Sequence, residues 1–505
     1  MSGATFSSRW ALLFATLGMA IGTGNIWRFP RILSQNGGGT FLIPWLLFLF
    51  TWSIPLLMAE FALGRATRRG PIGAFTKVFG AHSAWRGGFV AICSIAILCY
   101  YSVVTGWTFH YLSLAATGAL DNFTADNATE RFTSFAESST PLITHGLAIG
   151  LACFVVARGV SGGIERASKI LIPALFGVLL LSMLRGLTLP GASDGLGFLT
   201  QVDWELLSHP EIWLDALSQS AWSTGAGWGL MLCYATYAGS NTRAGRESVS
   251  TGMGNNSASL LAALAILPAV FALAPLAGQD AQAIVQQSGP ASTGLTFIWV
   301  PVLYQHVSWG GTVLGVIFFA GLAFAALSSL IALVELAVRS LSDIGIERRK
   351  GTLLVLLLGF LLGVPSALSL NVFANQDWVW GVGLIVSGGL LGYSVLRHGV
   401  ARFQREHIEA LEGGEVAPFS TKLFGVALRW LVLPQAIGLL VWWFVKAWDW
   451  TEGDGTLGTG ERLAAWLNPF AAASVGTCLA QWALVIGLLL VWRKQLAARS
   501  SAVND

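Results

Sequence analysis

Charge is scarce in this sequence. Only 11% of its 505 residues are Asp, Glu, Lys or Arg, whereas a soluble domain has about 25%. There is no polar stretch large enough to form a soluble domain. The chain also does not open with the basic region and small-residue cleavage site of a secretory signal peptide. The net charge of +3 gives no reason to expect a nucleic-acid partner. These absences exclude an ordinary soluble protein.

Signs of an enzyme are also scarce. The sequence contains no HExxH, and its seven histidines, among them His110, His145 and His306, are scattered near the ends of apolar segments. The five cysteines form no CxxC pair and lie in apolar segments, so we interpret them as packing residues. A channel would carry a repeated pore motif or a charged ring. We therefore predict neither an enzyme nor a channel.

Hydrophobic residues make up 54% of the chain, and they are grouped in runs of about 20, the length that crosses a bilayer as a helix. We predict an all-α polytopic membrane protein with about twelve transmembrane helices. The predicted spans cover residues 10–34, 40–64, 87–117, 142–157, 166–184, 213–239, 256–277, 308–340, 350–370, 377–401, 420–447 and 467–492.

Basic residues are distributed unequally between the loops. Within the predicted outer loops 118–141, 186–212 and 278–307, Arg131 is the only Lys or Arg. The inner loops and ends hold most of the others, and cytoplasmic loops are generally enriched in these residues. We therefore predict a protein of the cytoplasmic membrane with both termini in the cytoplasm.

The most informative segment lies in the first span and reads GMAIGTGNIWRFPRILSQNGGGTFLIP, from Gly18 to Pro44. Its glycines and polar residues interrupt an apolar helix. Hydrocarbon cannot satisfy unpaired backbone groups, so such a break must line protein or a watery cavity. The free N–H and C=O groups at the ends of two half-helices can hold an anionic group and a cation.

A second interrupted segment lies in the sixth span. There the sequence reads QSAWSTGAGWG, and Gly225, Gly227 and Gly229 are two residues apart. Such glycines are unfavourable inside a helix and favour its unwinding. Close packing of small residues against another helix is the alternative reading. The matching position of the first break favours unwinding and predicts discontinuous helices 1 and 6.

These motifs carry a family resemblance. The segments GTGNIWRFP, NGGGTFLIP, PLLMAEFALGR, SQSAWSTGAGWG with ATY, and FAALSSL resemble the neurotransmitter:sodium symporter family, in particular its bacterial, leucine-transporter-like amino-acid branch. The resemblance covers roughly the first ten spans. It implies two inverted five-helix repeats (about 10–184 and 213–405) within a transporter core at 1–405, followed by helices 11 and 12 and a cytoplasmic C-terminus at 406–505.

The resemblance also implies two Na⁺ sites. The first would use the Ala20 carbonyl, Asn25, Ser223, Asn255 and the carboxylate of the substrate. The second would use the carbonyls of Gly18, Ile21 and Ala325 with the hydroxyls of Ser328 and Ser329. Read alone, Ser328 and Ser329 also fit hydroxyl bonds to the preceding helical turn.

By the same resemblance, the expected partner is a small-molecule amino acid. Gly24 stands where amine transporters of the family carry an acidic residue, which leaves room for a substrate carboxylate. The expected substrate site comprises Ala20, Thr23, Gly24, Ile97, Tyr101, Trp222, Ser223, Gly225, Trp228, Ser329 and Leu333. This largely apolar lining predicts a neutral, hydrophobic amino acid.

Chloride and the gates follow from the same comparison. Ser259, with Gln219 and Ser223, matches chloride-dependent relatives, although Trp45 replaces the expected tyrosine. Arg28 and Asp377 match the outer gate. Tyr237 and Asp343 match the inner gate, whose usual arginine aligns with Gly3, so that either Arg9 substitutes or this gate is looser. Glu60 is expected to hold the loop around the first break.

The predicted function is therefore sodium-coupled import of a neutral amino acid by alternating access. A sodium-independent exchanger or a substrate sensor on the same scaffold is the alternative. Asn25, Ser223, Asn255, Ser328 and Ser329 argue against the loss of sodium sites, although a sensor could retain them.

Overall fold

The helices account for almost all regular structure. The computed structural model describes residues 5–288, 293–307, 309–410, 418–451 and 458–502, and within these ranges the chain is all-α, without a strand. Helices of the first half are α1 Arg9–Ala20, α2 Thr23–Ile26, α3 Arg28–Gln35, α4 Leu42–Phe48, α5 Ile54–Thr67, α6 Pro71–Phe79, α7 Ala84–Ala116, α8 Ala128–Ala136, α9 Thr140–Ala157, α10 Glu165–Leu187, α11 Ala192–Thr200, α12 Pro210–Ser223 and α13 Leu230–Ala235. Those of the second half are α14 Ala244–Leu273, α15 Ala281–Gln286, α16 Val300–Tyr304, α17 Gly311–Asp343, α18 Arg348–Leu368, α19 Leu370–His398, α20 Val400–Gln404, α21 Pro418–Val426, α22 Val432–Asp449, α23 Thr459–Trp466, α24 Val475–Val491 and α25 Arg493–Ala502.

Membrane-spanning helices dominate the architecture, as predicted. In the described part of the chain, nine continuous helical segments are long and apolar enough to cross a bilayer: Gly38–Thr67, Ala81–Ala116, Thr140–Ala157, Val160–Leu187, Ala244–Leu273, Gly311–Asp343, Arg348–Leu368, Leu370–His398 and Thr421–Asp449. A tenth is obtained if α24 and α25, which meet at a 59° bend, are counted together. The predicted first and sixth spans do not qualify as single helices because both are interrupted.

The seventh span differs most from its prediction. The hydropathy pattern placed its start at residue 256, but α14 begins at Ala244. Its first turns are polar and largely buried, and they include Glu247, which forms an ion pair with Arg9 at 2.9 Å. Hydropathy detects lipid-compatible residues and therefore misses a polar helix end that is buried in protein.

The interrupted helices lie at the centre of the bundle. The half-helix α1 packs against α10, α14 and α17, and α13 packs against α5. Long helices surround them, with α17 lying against α7, α9 and α10. The five cysteines are buried and carry free thiols, which fits their interpretation as packing residues. The twelve-helix count, the inverted relation of the two halves and the boundary at residue 405 stay predictions.

Candidate functional site

The first break separates α1 from α2. Ile21 leaves the helical conformation with an extended backbone, and Gly22 continues it (φ −110°, ψ −171°) before α2 begins at Thr23. Gly22 N–H donates to the Asn25 side-chain oxygen at 2.9 Å, and Thr23 N–H donates to the Tyr101 hydroxyl at 3.2 Å. These contacts satisfy donors that the interrupted helix leaves unpaired.

The second break separates α12 from α13. Gly225, Gly227 and Gly229 all have left-handed backbones, with φ of 69°, 88° and 80°, a conformation that glycine adopts without a steric penalty. The unwound segment is also held from neighbouring helices, because Ser387 donates to the Gly227 carbonyl and Ser94 to the Trp228 carbonyl, each at 2.6 Å.

Glu60 stabilises the second break, not the first as the sequence suggested. One oxygen of its buried carboxylate accepts from Gly227 N–H at 2.7 Å and from Gly229 N–H at 3.0 Å. The other accepts from Leu232 N–H at 3.2 Å. The prediction was wrong because Glu60 lies on α5, which packs against α13, a pairing of helices that linear sequence does not disclose.

One cavity of about 470 Å³ lies between the two breaks. All the residues assigned to the substrate site from the sequence line it: Ala20, Thr23, Gly24, Ile97, Tyr101, Trp222, Ser223, Gly225, Trp228, Ser329 and Leu333. The cavity continues past Arg28 and Asp377 to Trp443 and Lys446 on α22. We call the end of the bundle at α22 Lys446 the outer end, and the opposite end, where α1 begins, the inner end.

Small residues shape this cavity. A Cβ atom at Gly24 would meet no heavy atom within 4 Å, so this part of the wall is open space. A Cβ atom at Gly381 would lie only 2.1 Å from the Trp222 ring. Gly381 on α19, which no motif in the sequence marked, makes room for that indole. Trp222 in turn packs edge-on against Trp228, with ring centroids 5.9 Å apart.

A first cluster of oxygen atoms lies beside the cavity, where Ala20, Asn25, Ser223 and Asn255 meet. One terminal atom of the Asn255 amide is 2.8 Å from the Ser223 carbonyl oxygen and 3.2 Å from the Ala20 carbonyl oxygen. If this atom is nitrogen, it donates to both carbonyls. If it is oxygen, three oxygen atoms converge, an arrangement that a cation would stabilise.

The side-chain amide of Asn25 is not oriented as expected for a ligand of the first sodium ion. Its oxygen accepts from Gly22 N–H, and its nitrogen donates to Asn255 and Ser259, each at 2.8 Å. A rotation of the amide would be needed to direct the oxygen at a cation. The neighbouring Asn256 contacts the Asn255 amide at 3.2 Å.

A second cluster joins α1 to α17. The Ser329 hydroxyl lies 3.2 Å from the Gly18 carbonyl and 3.3 Å from the Ile21 carbonyl. The Ser328 hydroxyl donates to the Ala325 carbonyl at 3.0 Å. Ser328 can therefore donate this hydrogen bond within its helix and still act as a sodium ligand, because its oxygen keeps lone pairs after the hydrogen is donated. All five expected ligands belong to these contacts.

Several buried polar atoms on and around α12, the first half of the broken sixth span, lack a hydrogen-bond partner among the described residues. They are both amide atoms of Gln219, the indole nitrogen of Trp45 and the amide nitrogen of Asn256. Ser259 accepts from Asn25 and donates to the Asn255 carbonyl at 3.3 Å. Buried donors without partners are rare, so each calls for an explanation such as a bound water or ion.

The expected outer gate is not closed. Within the described ranges, no ion pair of 4 Å or less joins Arg28 to Asp377, although both line the cavity. The Arg28 guanidinium instead lies over the Trp222 ring, 4.7 Å from its centroid. The cavity is therefore continuous from the two breaks to the outer end.

The expected inner-gate residues have other partners. The Asp343 carboxylate accepts from Gly70 N–H and Gly73 N–H at 2.8 and 2.9 Å, at the start of α6. Arg9 pairs with Glu247 rather than with Asp343, so it does not replace the arginine of relatives. Gly3 lies outside the described residues.

Tyr237 belongs to a different network, one that the sequence analysis missed. It donates to Glu335 at 2.5 Å, and Glu335 forms an ion pair with Arg348 at 2.6 Å. Glu335 is fully buried. The available signal was a lone carboxylate within an apolar span, which is a functional candidate by default.

Apolar spans, two interrupted helices and a cavity between them define a membrane transporter. The family model described as "Sodium:neurotransmitter symporter family" matches residues 3–141 and 128–371. The chain therefore belongs to the sodium:neurotransmitter symporter family, as its motifs indicated, and it is a sodium-dependent transporter and not an enzyme.

Individual relatives agree with this assignment. An uncharacterized sodium-dependent transporter of Bacillus subtilis is 33% identical over 375 residues, 73% of this chain and 80% of the relative. A bovine sodium- and chloride-dependent GABA transporter is 29% identical over 406 residues, 71% of this chain and 66% of the relative. The crystal structure of MhsT in complex with L-phenylalanine matches with a TM-score of 0.75 and 28% identity, covering 87% of this chain and 99% of MhsT.

Proposed function

We propose that this protein is a sodium-coupled symporter that imports a neutral, hydrophobic α-amino acid across the cytoplasmic membrane by alternating access. The observation that carries the proposal is the cavity between the two broken helices, bordered by two clusters of oxygen atoms. The termini would lie in the cytoplasm, as the distribution of Lys and Arg predicts.

Two sodium ions would bind at the two clusters. Carbonyl, hydroxyl and amide oxygens are hard, neutral ligands, which suit a small hard cation. In the second cluster, Gly18 belongs to α1 and Ile21 directly follows it, whereas Ser328 and Ser329 belong to α17. An ion there would hold these helices together, so its binding would favour one packing of α1 against α17 over another.

The first sodium ion would couple directly to the substrate. Ala20, Asn25, Ser223 and Asn255 supply its protein ligands, and a substrate carboxylate in the cavity would complete them. Each species then lowers the free energy of binding of the other, which is the energetic requirement for coupled transport. The positive end of a half-helix dipole favours the same carboxylate.

The nature of the wall supports a hydrophobic amino acid. Ile97, Leu333, Trp222 and Trp228 give it apolar surface, and the open space at Gly24 accommodates a substrate carboxylate. MhsT, whose fold this chain shares, was crystallised with L-phenylalanine. An aromatic or large aliphatic L-amino acid is therefore the class to test first.

Chloride would bind near Trp45, Gln219, Ser223 and Ser259. The unpartnered donors of Trp45 and Gln219 are suited to an anion, which would offset the charge of a nearby sodium ion. Replacement of chloride by gluconate should lower sodium-driven uptake. Unchanged uptake in gluconate would refute chloride dependence and leave the sodium sites unaffected.

The gates would alternate around this site. Arg28 and Asp377 would approach each other over the substrate, with Tyr101 and Trp222 beneath them as an aromatic lid. At the inner end, the contacts of Tyr237 and Asp343 would have to open. The uninterrupted outer part of the cavity supports an outward-open state for the arrangement described above.

Uptake into proteoliposomes tests the proposal. The full-length protein would be reconstituted and offered labelled L-amino acids with an inward sodium gradient, with equal sodium on both sides, or with potassium only. We expect accumulation that requires the gradient and is strongest for large hydrophobic amino acids. Asn25→Ala and Ser328→Ala should each abolish sodium-driven uptake.

The same assay separates the alternatives. Exchange of internal for external amino acid without sodium would indicate a sodium-independent exchanger. Sodium-dependent binding without uptake would indicate a sensor. If both variants kept sodium-driven uptake at the parent level, the assignment of the sodium ligands would be wrong.

A further inference from the structure

Two histidines and a glutamate meet at the inner end of α19, the opposite end of that helix from Asp377, which lines the cavity. The helix α19 ends at His398, and the chain reverses through Gly399, whose φ is 94°. It continues through α20 into a single π-helical turn, Arg405–Glu409. The reversal brings Glu406 and His407 back against the end of α19.

The three side chains direct their ligand atoms at one point. His398 Nε2 lies 3.3 Å from Glu406 Oε2, and His407 Nε2 lies 3.9 Å from the same oxygen. All three ligand atoms fall within 4.8 Å of one another. The imidazoles are mostly buried, with side-chain exposures of 12% and 18%, whereas the carboxylate is 44% exposed.

Aromatic packing holds the two imidazoles in place. The His398 ring packs edge-on against Phe79, with centroids 5.7 Å apart, and the His407 ring lies 5.1 Å from Phe403. Phe79 and Phe403 are themselves stacked. The histidines therefore belong to a rigid apolar cluster rather than to two independent surface side chains.

A hydrogen-bond network alone does not account for this arrangement. Glu406 is already satisfied, because His398 contacts one of its oxygens and Arg402 donates to the other at 2.8 Å. His407 Nε2 is buried and has no hydrogen-bond partner among the described residues. His407 Nε2 lies 3.9 Å from Glu406 Oε2, too far for a hydrogen bond. A metal ion bound between these two atoms would give the nitrogen a partner.

The ligand set and the spacing both suit a metal ion. Two histidines and one carboxylate are a known zinc ligand set, with metal–ligand bonds of about 2.0–2.2 Å and a fourth position left for water. Tetrahedral ligands at such distances lie roughly 3.3–3.6 Å apart. The 3.3 Å between His398 Nε2 and Glu406 Oε2 fits this spacing, and a bound ion would draw His407 Nε2 closer than its present 3.9 Å from the same oxygen. Imidazole ligands favour zinc and its transition-metal neighbours over magnesium or calcium.

We propose that His398, Glu406 and His407 form a binding site for a divalent transition-metal ion, with Zn²⁺ as the probe. The ion would join the end of α19 to the segment that leads towards α21. It would thus stabilise this corner of the bundle against Phe79, at the end of α6. The site is separate from the transport cavity, and the inference does not depend on the proposed function.

Calorimetry on the full-length protein, purified through a tag without histidine, tests the site. We expect one Zn²⁺ per chain, and at least tenfold weaker binding for His398→Gln and for His407→Gln, since loss of a single supporting group already costs about 10-fold to 100-fold. The exposed His209 provides the matched control, and His209→Gln should bind like the parent. Mg²⁺ and Ca²⁺ should not compete.

A second variant distinguishes metal binding from a structural role. Arg402→Gln removes the cation that competes for Glu406, so it should tighten Zn²⁺ binding, whereas a purely structural cluster would be weakened. Zn²⁺ should also raise the melting temperature of the parent but not of the two histidine variants. Binding that is unaffected by either histidine variant, or weakened by Arg402→Gln, would overturn the proposal. Sodium-driven uptake by these variants provides an independent check of folding.

Discussion

The substitution Gly24→Asp tests the proposed recognition of a carboxylate most directly. A Cβ atom at Gly24 meets no heavy atom within 4 Å, and the residue lies in α2 without a left-handed backbone. The Cβ atom of an aspartate can therefore enter without displacing a protein neighbour. Any loss of affinity beyond that caused by a neutral side chain of the same size should arise from its charge.

The size of the effect follows from electrostatics. Two carboxylates about 4 Å apart at an effective dielectric constant of about 20 repel each other by about 4 kcal/mol. Because about 1.4 kcal/mol is a factor of ten, this repulsion corresponds to roughly a 1,000-fold loss of affinity. A sodium ion between the two carboxylates would offset part of it. We expect amino-acid affinity to fall by about 100-fold to 1,000-fold.

The binding of an amine to Gly24→Asp should change in the opposite direction to the binding of the amino acid. An aromatic amine without a carboxylate lacks the repelled group, and the new aspartate would attract its ammonium group. Equilibrium binding of a labelled amino acid and competition by the matching amine, both in sodium, would measure the change in preference. The variant should bind the amine more tightly than the parent does.

The control is Gly24→Asn, which has nearly the same volume and no charge. It should lose much less affinity for the amino acid than Gly24→Asp. Equal losses for both variants, with no gain for the amine, would refute the reasoning. The loss would then be due to side-chain volume and not to repulsion between two carboxylates.

Two further predictions concern the groups that support the breaks. Ser329→Ala removes the hydroxyl that contacts the Gly18 and Ile21 carbonyls, so the sodium concentration for half-maximal uptake should rise at least tenfold. The control Ser340→Ala loses only a hydrogen bond within its own helix and should leave this concentration unchanged. An unchanged concentration for Ser329→Ala would contradict the second sodium site. Glu60→Gln supplies one acceptor oxygen where the carboxylate supplies two, which leaves a buried N–H of the second break unsatisfied at a cost of about 1–3 kcal/mol. Its melting temperature in detergent should fall below that of the exposed control Glu137→Gln, and equal melting temperatures would show that the break is held by other contacts.

The main features of the site could be predicted because each depends on local chemistry. Glycines and an asparagine inside an apolar helix are unfavourable unless the helix is interrupted, so the breaks could be recognised from the residues themselves. The family motifs then indicated which residues would meet. Ser329 does contact the carbonyls of Gly18 and Ile21, whereas the Ser328 hydroxyl bonds to Ala325 of its own helix. Asn25 shows the limit of this approach, since the sequence identifies the side chain but not the direction of its amide.

The sequence by itself therefore determined an all-α membrane protein with interrupted first and sixth spans, because hydropathy and backbone hydrogen bonding are properties of consecutive residues. Only the tertiary structure decided which helix stabilises which break, and it assigned Glu60 to the second. It also paired Tyr237 with Glu335 and Arg348, and it brought His398 and His407 together around one carboxylate. Such pairings depend on how helices that are remote in sequence pack, and hydropathy carries no information about that packing.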